Sequence, residues 1–142
     1  MLNSTAVSGI RDILVETYDL HGWAIPAHII DYQTKIFAEK LDKNPWEPLP
    51  SYAERYMTIR STREALDLAN TCYFTRSVFP ELKSRRGIQP SYYVQMGQSC
   101  YDLVLQTTET HTLKAMRDHF EFLAECAYTA LRHWGDFREM WD

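Results

Sequence analysis

With 142 residues, 16.7 kDa, 45% hydrophobic and 13% aromatic side chains, the chain is sized for one domain with a ring-rich core, and its composition excludes a disordered or collagen-like polymer. No stretch approaches the roughly 18 consecutive apolar residues of a membrane span, and Met1 to Ile10 has neither a basic start nor an apolar run. A cytoplasmic protein without a secretory signal is expected. The net charge of −4 is unevenly spread: Arg55, Arg60, Arg63, Arg76, Lys83, Arg85 and Arg86 outweigh Glu64, Asp67 and Glu81, giving segment 55–86 a charge of +4 and the remainder −8.

In chain order, the first helix is expected over 5–20, with Val7, Ile10, Leu14 and Tyr18 on one face and Gly22 as its stop. Pro26 suits the first turn of a second helix through Asp42, with Ile29, Ile30, Gln33, Ile36, Phe37 and Leu41 inward. Three prolines in 44–50 prevent its continuation. Ser51 with Glu54, and Ser61 with Glu64, match the capping box, so a short helix near 52–60 and a longer one near 62–78 follow. The longer one places Ala65, Leu66, Ala69, Cys72, Tyr73 and Phe79 toward the core.

A basic loop over 80–89 leads to Pro90, which opens a helix to about 106 carrying Tyr93, Met96, Gly97, Cys100, Leu103 and Val104. Gly97 costs that helix about 1 kcal/mol relative to Ala, which points to a close contact with another helix. From Leu113 to Trp134 the heptad Leu113, Met116, Phe120, Leu123, Ala127, Ala130 and Trp134 predicts one unbroken amphipathic helix. No segment alternates with period two. The expected fold is an all-α, compact bundle of four main helices plus one or two short ones, a single domain over 1–142 with an aromatic docking tail at 135–142.

The chemistry-bearing residues specify no reaction. A di-iron bundle needs Glu-x-x-His, but Tyr18, Ile25, Thr108, Met116 and Ala130 stand three before the five histidines. His119, Cys126 and His133 form a column whose members are about 10.5 Å apart, too far to share an ion. His28 and Asp31 at i, i+3 are the one intra-helix pair that could share one. Cys72, Cys100 and Cys126 read as reduced packing residues. Gly97-Gln98-Ser99-Cys100-Tyr101 lacks the closing glycine of a nucleophile elbow and sits in a helix. A pair of Cys100 with His119 or His133 would depend on the fold, and no glycine-rich phosphate loop is present. No cofactor, metal or catalytic set is expected.

Two features remain. Lys83, Arg85 and Arg86, with Tyr92 and Tyr93, precede or open the Pro90 helix and form a candidate site for a small anionic ligand. The acidic remainder of the chain disfavours nucleic acid. In the tail, Trp134, Phe137, Met140 and Trp141 form a candidate interaction surface for a protein partner or a second copy of the chain. The expected role is non-catalytic, through protein contacts or self-association. The alternative is a small-molecule bundle with Tyr73, Tyr93, Tyr101, Cys100 or His119 lining an aromatic cavity.

Overall fold

The computed structural model describes residues 4–42, 52–78 and 90–132. Among them are seven helices and no strand: α1 (Ser4–His21), α2 (Ala27–Asp42), α3 (Tyr52–Met57), α4 (Thr62–Val78), α5 (Pro90–Leu105), α6 (His111–Asp118) and α7 (Phe120–Arg132). The fold is all-α, as the periodicity requires, with five longer helices and two short ones. The 44–50 linker, the 80–89 basic loop and the tail from His133 lie outside the described residues, and with them Lys83, Arg85, Arg86, Trp134, Phe137, Met140 and Trp141.

The helix ends follow from the local sequence. Gly22 closes α1 at φ 69°, a backbone state that glycine adopts without side-chain strain. The Gly22 N–H donates to Asp19 O at 3.2 Å and the Trp23 N–H to Tyr18 O at 2.9 Å, the paired bonds of a Schellman motif. Its hydrophobic contact is also present, with the Tyr18 and Trp23 rings edge to face at 6.0 Å. Pro26 then offers its carbonyl to the N–H groups of Ile29 and Ile30 at the start of α2.

At α4 the capping box forms with one substitution of partner. Glu64 N–H donates to Ser61 Oγ at 3.1 Å, but the Glu64 carboxylate accepts from Arg60 N–H, one residue earlier than the box prescribes. The short helix before it ends at Met57 rather than near 60, and its last carbonyls are met by Thr58, whose hydroxyl turns back onto Glu54 O and Arg55 O.

α4 is the central element. From Leu68 to Val78 every side chain is buried, because α2, α5 and α7 all pack against it. A helix enclosed in this way has no single apolar face, which is why Asn70, Thr71, Thr75, Arg76 and Ser77 are buried beside Cys72, Tyr73 and Phe74. α5 runs antiparallel to it: Thr62 meets Thr107, Asn70 meets Tyr101, and Cys72 lies beside Gly97.

A Cβ built on Gly97 would lie 2.5 Å from Phe120 Cζ and 3.3 Å from Cys72 Cβ. The glycine thus admits the Phe120 ring to the centre, where it packs against Tyr73 at 5.4 Å and Tyr101 at 6.0 Å. The same contact marks a departure from the unbroken heptad helix. One residue before Phe120 the helix breaks at His119, with φ −119° and ψ 28°. The heptad residues from Leu113 to Ala130 are nonetheless all buried. Thr110 caps the first half by accepting from Leu113 N–H at 3.1 Å, so α6 and α7 carry the stripe as two helices.

Candidate functional site

Gln33 shows how the interior treats polar groups. It is fully buried: its Oε1 accepts from Tyr18 Oη at 3.0 Å, and its Nε2 donates to Tyr73 Oη at 2.7 Å and Leu123 O at 3.4 Å. Tyr73 in turn donates to Leu123 O at 3.0 Å. A neighbouring pair of hydroxyls, Tyr32 and Tyr101, converges on Asn70 Oδ1 at 2.9 and 2.7 Å. These bonds join α1, α2, α4, α5 and α7, and they meet the requirement that a buried polar group find a partner. Burial drives the Tyr18, Tyr73 and Tyr101 hydroxyls above their ordinary range, so they stay protonated.

Four of the five residues considered as cavity lining belong to the packed core. Tyr73, Tyr93, Tyr101 and Cys100 are core residues, whereas His119 is exposed. Burial pushes the Cys100 and Cys126 thiols up to about 11 and lifts Cys72 well above its usual value, which makes all three poor nucleophiles. Tyr92, half-buried, stands edge to face with buried Tyr93 at 6.0 Å. Of the anion-site candidates, only these two tyrosines are described.

Charged groups serve mainly to join helices. Asp67 on α4 bridges Lys40 of α2 at 2.9 Å and Arg55 of α3 at 3.0 Å. Arg76, nearly enclosed near the end of α4, reaches Glu125 at 3.4 Å and Glu121 at 3.7 Å on α7. Asp31 pairs with Arg11 at 2.8 Å, not with His28. His28 Nδ1 and Thr112 Oγ1 of α6 instead share a hydrogen bond of 2.8 Å. Among the described residues no three His, Cys, Asp or Glu side chains are placed to share a metal ion.

That His28 contact leads to the site which spacing alone did not reveal. The α1–α2 turn and the start of α2 face the α6–α7 junction across an open groove of about 400 Å³. Ala24, Ile25, Pro26 and Ile29 form one wall, and Ala115, Phe122 and Leu123 the other. His28, His111 and His119 supply the polar side chains of the lining, which contains no Asp or Glu.

Phe122 is 49% exposed and meets Trp23 edge to face at 6.4 Å. Trp23 carries His21 stacked on it at 4.4 Å, so four of the five histidines gather around this region. Leu20, 83% exposed, belongs to the same last turn of α1 as His21. The groove's volume falls within the usual 300–1,000 Å³ of ligand sites, and a few polar groups over an apolar floor match their chemistry. The one signal in the sequence that could have pointed here is Phe122, a large apolar side chain off the heptad stripe; that His28 lines the same groove as His111 and His119 required the fold. No protein-family model, curated protein or solved structure matches this chain.

Proposed function

We propose that this chain is a non-catalytic helical protein that works by contact, and that the histidine-rimmed groove receives an apolar segment of a partner protein. The observation that carries this reading is the groove's composition: an apolar floor with half-exposed Phe122, edged by three imidazoles and free of carboxylates. Large exposed apolar side chains beside a concavity are what a partner's anchor residues require. The interior supports the same reading, because its thiols and phenols are buried and held protonated, leaving no activated nucleophile among them.

Charge complementarity selects the partner. A segment bearing acidic residues meets no like charge in the lining of the groove, and the adjoining hollow beyond His111 carries both signs, with Asp102 and Glu109 beside Lys114 and Arg117. Selection of peptides from a random display library on the full-length chain tests the reading. Enriched sequences should combine apolar and acidic residues and lose binding to Phe122→Asp and Ala115→Glu variants that remain folded by circular dichroism. Absence of enrichment, or enriched peptides indifferent to both substitutions, would overturn it.

A further inference from the structure

Resting on the contact reading above, we propose that residues 133–142 of the chain itself fold back along α7 and seat Phe137, Met140 and Trp141 in the groove, so that a partner's segment must displace them. This segment lies outside the described residues, and its sequence runs His-Trp-Gly-Asp-Phe-Arg-Glu-Met-Trp-Asp. Three large apolar side chains are interleaved with Asp136, Glu139 and Asp142, which outnumber the one cation, Arg138. An apolar and acidic segment is what the lining complements, being apolar itself and free of Asp and Glu.

Reach selects this segment. α7 advances about 1.5 Å per residue, so its end at Arg132 stands about 15 Å from Phe122. An extended chain covers about 3.3 Å per residue, which carries Phe137 about 16 Å beyond Arg132, Met140 about 26 Å and Trp141 about 30 Å. All three reach the groove, whereas Trp134, limited to about 7 Å, does not. Phe122, Glu125, Thr129 and Arg132 recur every three or four residues along one side of α7, and each is exposed or only partly buried, so no described helix covers the return path. Glu125 on that path is met by Arg76, and Gly135 allows a reversal without side-chain strain. The other rings outside the described residues fail the same test. Trp46, four residues past α2, extends about 13 Å from Asp42, while Ile29 in the groove wall lies about 20 Å back along α2. Phe79 directly follows Val78 at the end of α4, and α4 contributes no residue to the lining.

The tether also decides between the chain's own segment and that of a second copy. A linker of this length holds its anchors near the groove at roughly millimolar effective concentration, about a thousandfold above a second chain present at micromolar concentration. The intramolecular contact therefore prevails, and it keeps half-exposed Phe122 covered between encounters. A partner's apparent affinity falls by the fraction of chains whose groove is open.

A synthetic peptide of residues 133–142, titrated by NMR into two full-length chains, tests this. One chain is unsubstituted; the other carries Phe137→Ser, Met140→Ser and Trp141→Ser and keeps its helical circular dichroism. The peptide should bind the substituted chain with amide shifts centred on Ala115, Phe122 and Leu123, and adding Phe122→Asp should abolish them. The unsubstituted chain should bind it about tenfold more weakly, as a tail at roughly millimolar effective concentration competes with a peptide of roughly 0.1 mM affinity. Its own groove amides should already stand near their peptide-bound positions, unchanged between about 10 µM and about 1 mM chain, since an intramolecular contact does not depend on concentration. Equal affinity for the two chains, shifts centred elsewhere, or no binding to the substituted chain would overturn the assignment. Groove shifts that grow with chain concentration would overturn it in favour of a second copy's tail. None of these results touches the contact reading, which falls only if the display selection yields no groove-dependent peptide.

Discussion

Gln33 and His28 stand five residues apart on α2, yet one is closed off from solvent and the other edges an open groove. Every polar atom of the Gln33 side chain is bonded to another helix. His28 has one ring nitrogen engaged by Thr112 and lies in the groove wall. The difference teaches that hydrogen-bonding side chains in this protein divide by destination: those pointing to α4 fasten the bundle, and those at the α2–α6 rim are offered outward. The interior should therefore resist changes of charge at the cost of stability, while the groove should accept them at little cost.

Alkaline unfolding gives the largest expected effect. Burial holds Cys100 and Cys126 protonated to about pH 11, whereas an unfolded thiol ionises near pH 8.5. Because the folded values are raised, their stabilisation is complete below about pH 8.5 and is lost as pH rises toward about 11. The buried tyrosines, also raised by desolvation, add to the loss above about pH 10. Urea midpoints should be level from about pH 7 to 8.5 and then fall steeply, by several kcal/mol in total. A level midpoint through about pH 11 would show that these groups ionise equally well in the folded state.

Removing the hub itself comes next. Gln33→Ala leaves Tyr18 Oη without its acceptor, deprives Tyr73 Oη of a donor and opens a cavity between α1, α2 and α4. Together these should cost about 3 kcal/mol in urea unfolding. A loss below about 1 kcal/mol would mean that water or a rearranged hydroxyl replaces the amide.

Gly97→Ala tests packing without polar chemistry. The new methyl meets Phe120, whose ring cannot swing aside because Tyr73 and Tyr101 flank it. Overpacking of about 1–3 kcal/mol should exceed the roughly 1 kcal/mol gained from better helix propensity, leaving a net loss of about 1 kcal/mol. Phe120→Leu, costly alone, should recover part of that loss in the double variant, a coupling that a double-mutant cycle reads directly. Strict additivity would show that the two helices move apart instead.

Much of the fold was legible because its signals are local. Gly22 and Pro26 announced the α1–α2 turn, Ser61 the start of α4, and Gly97 a close helix contact. The break at His119 was hidden because the residues on both sides keep the same buried stripe, and a single non-helical residue leaves the spacing of Leu113, Met116, Phe120 and Leu123 unchanged. Burial of Tyr73 and Tyr93 could be read from periodicity, but whether they and Tyr101 enclose a cavity or fill it depends on which helices are neighbours. The groove was illegible for that reason: positions 24–29 meet positions 111–123 only once α2 packs against α6.

The smallest effect on stability should come from the groove, and there it sharpens the contrast most. Phe122 is half exposed and touches Trp23 only at its edge, so Phe122→Ala should shift unfolding by no more than about 0.5–1 kcal/mol. His119→Gln, at an exposed position whose backbone already leaves the helix, should shift it by less than about 0.5 kcal/mol. Binding of groove-selected peptides should respond in the opposite order of magnitude, with at least a fivefold loss on Phe122→Ala, the threshold of about 1 kcal/mol for an anchor residue. A variant that loses stability and binding in equal measure would place Phe122 with Gln33, as part of what holds the bundle together. A variant that loses binding alone would separate the two regions by experiment as the hydrogen bonds of α2 already separate them in the fold.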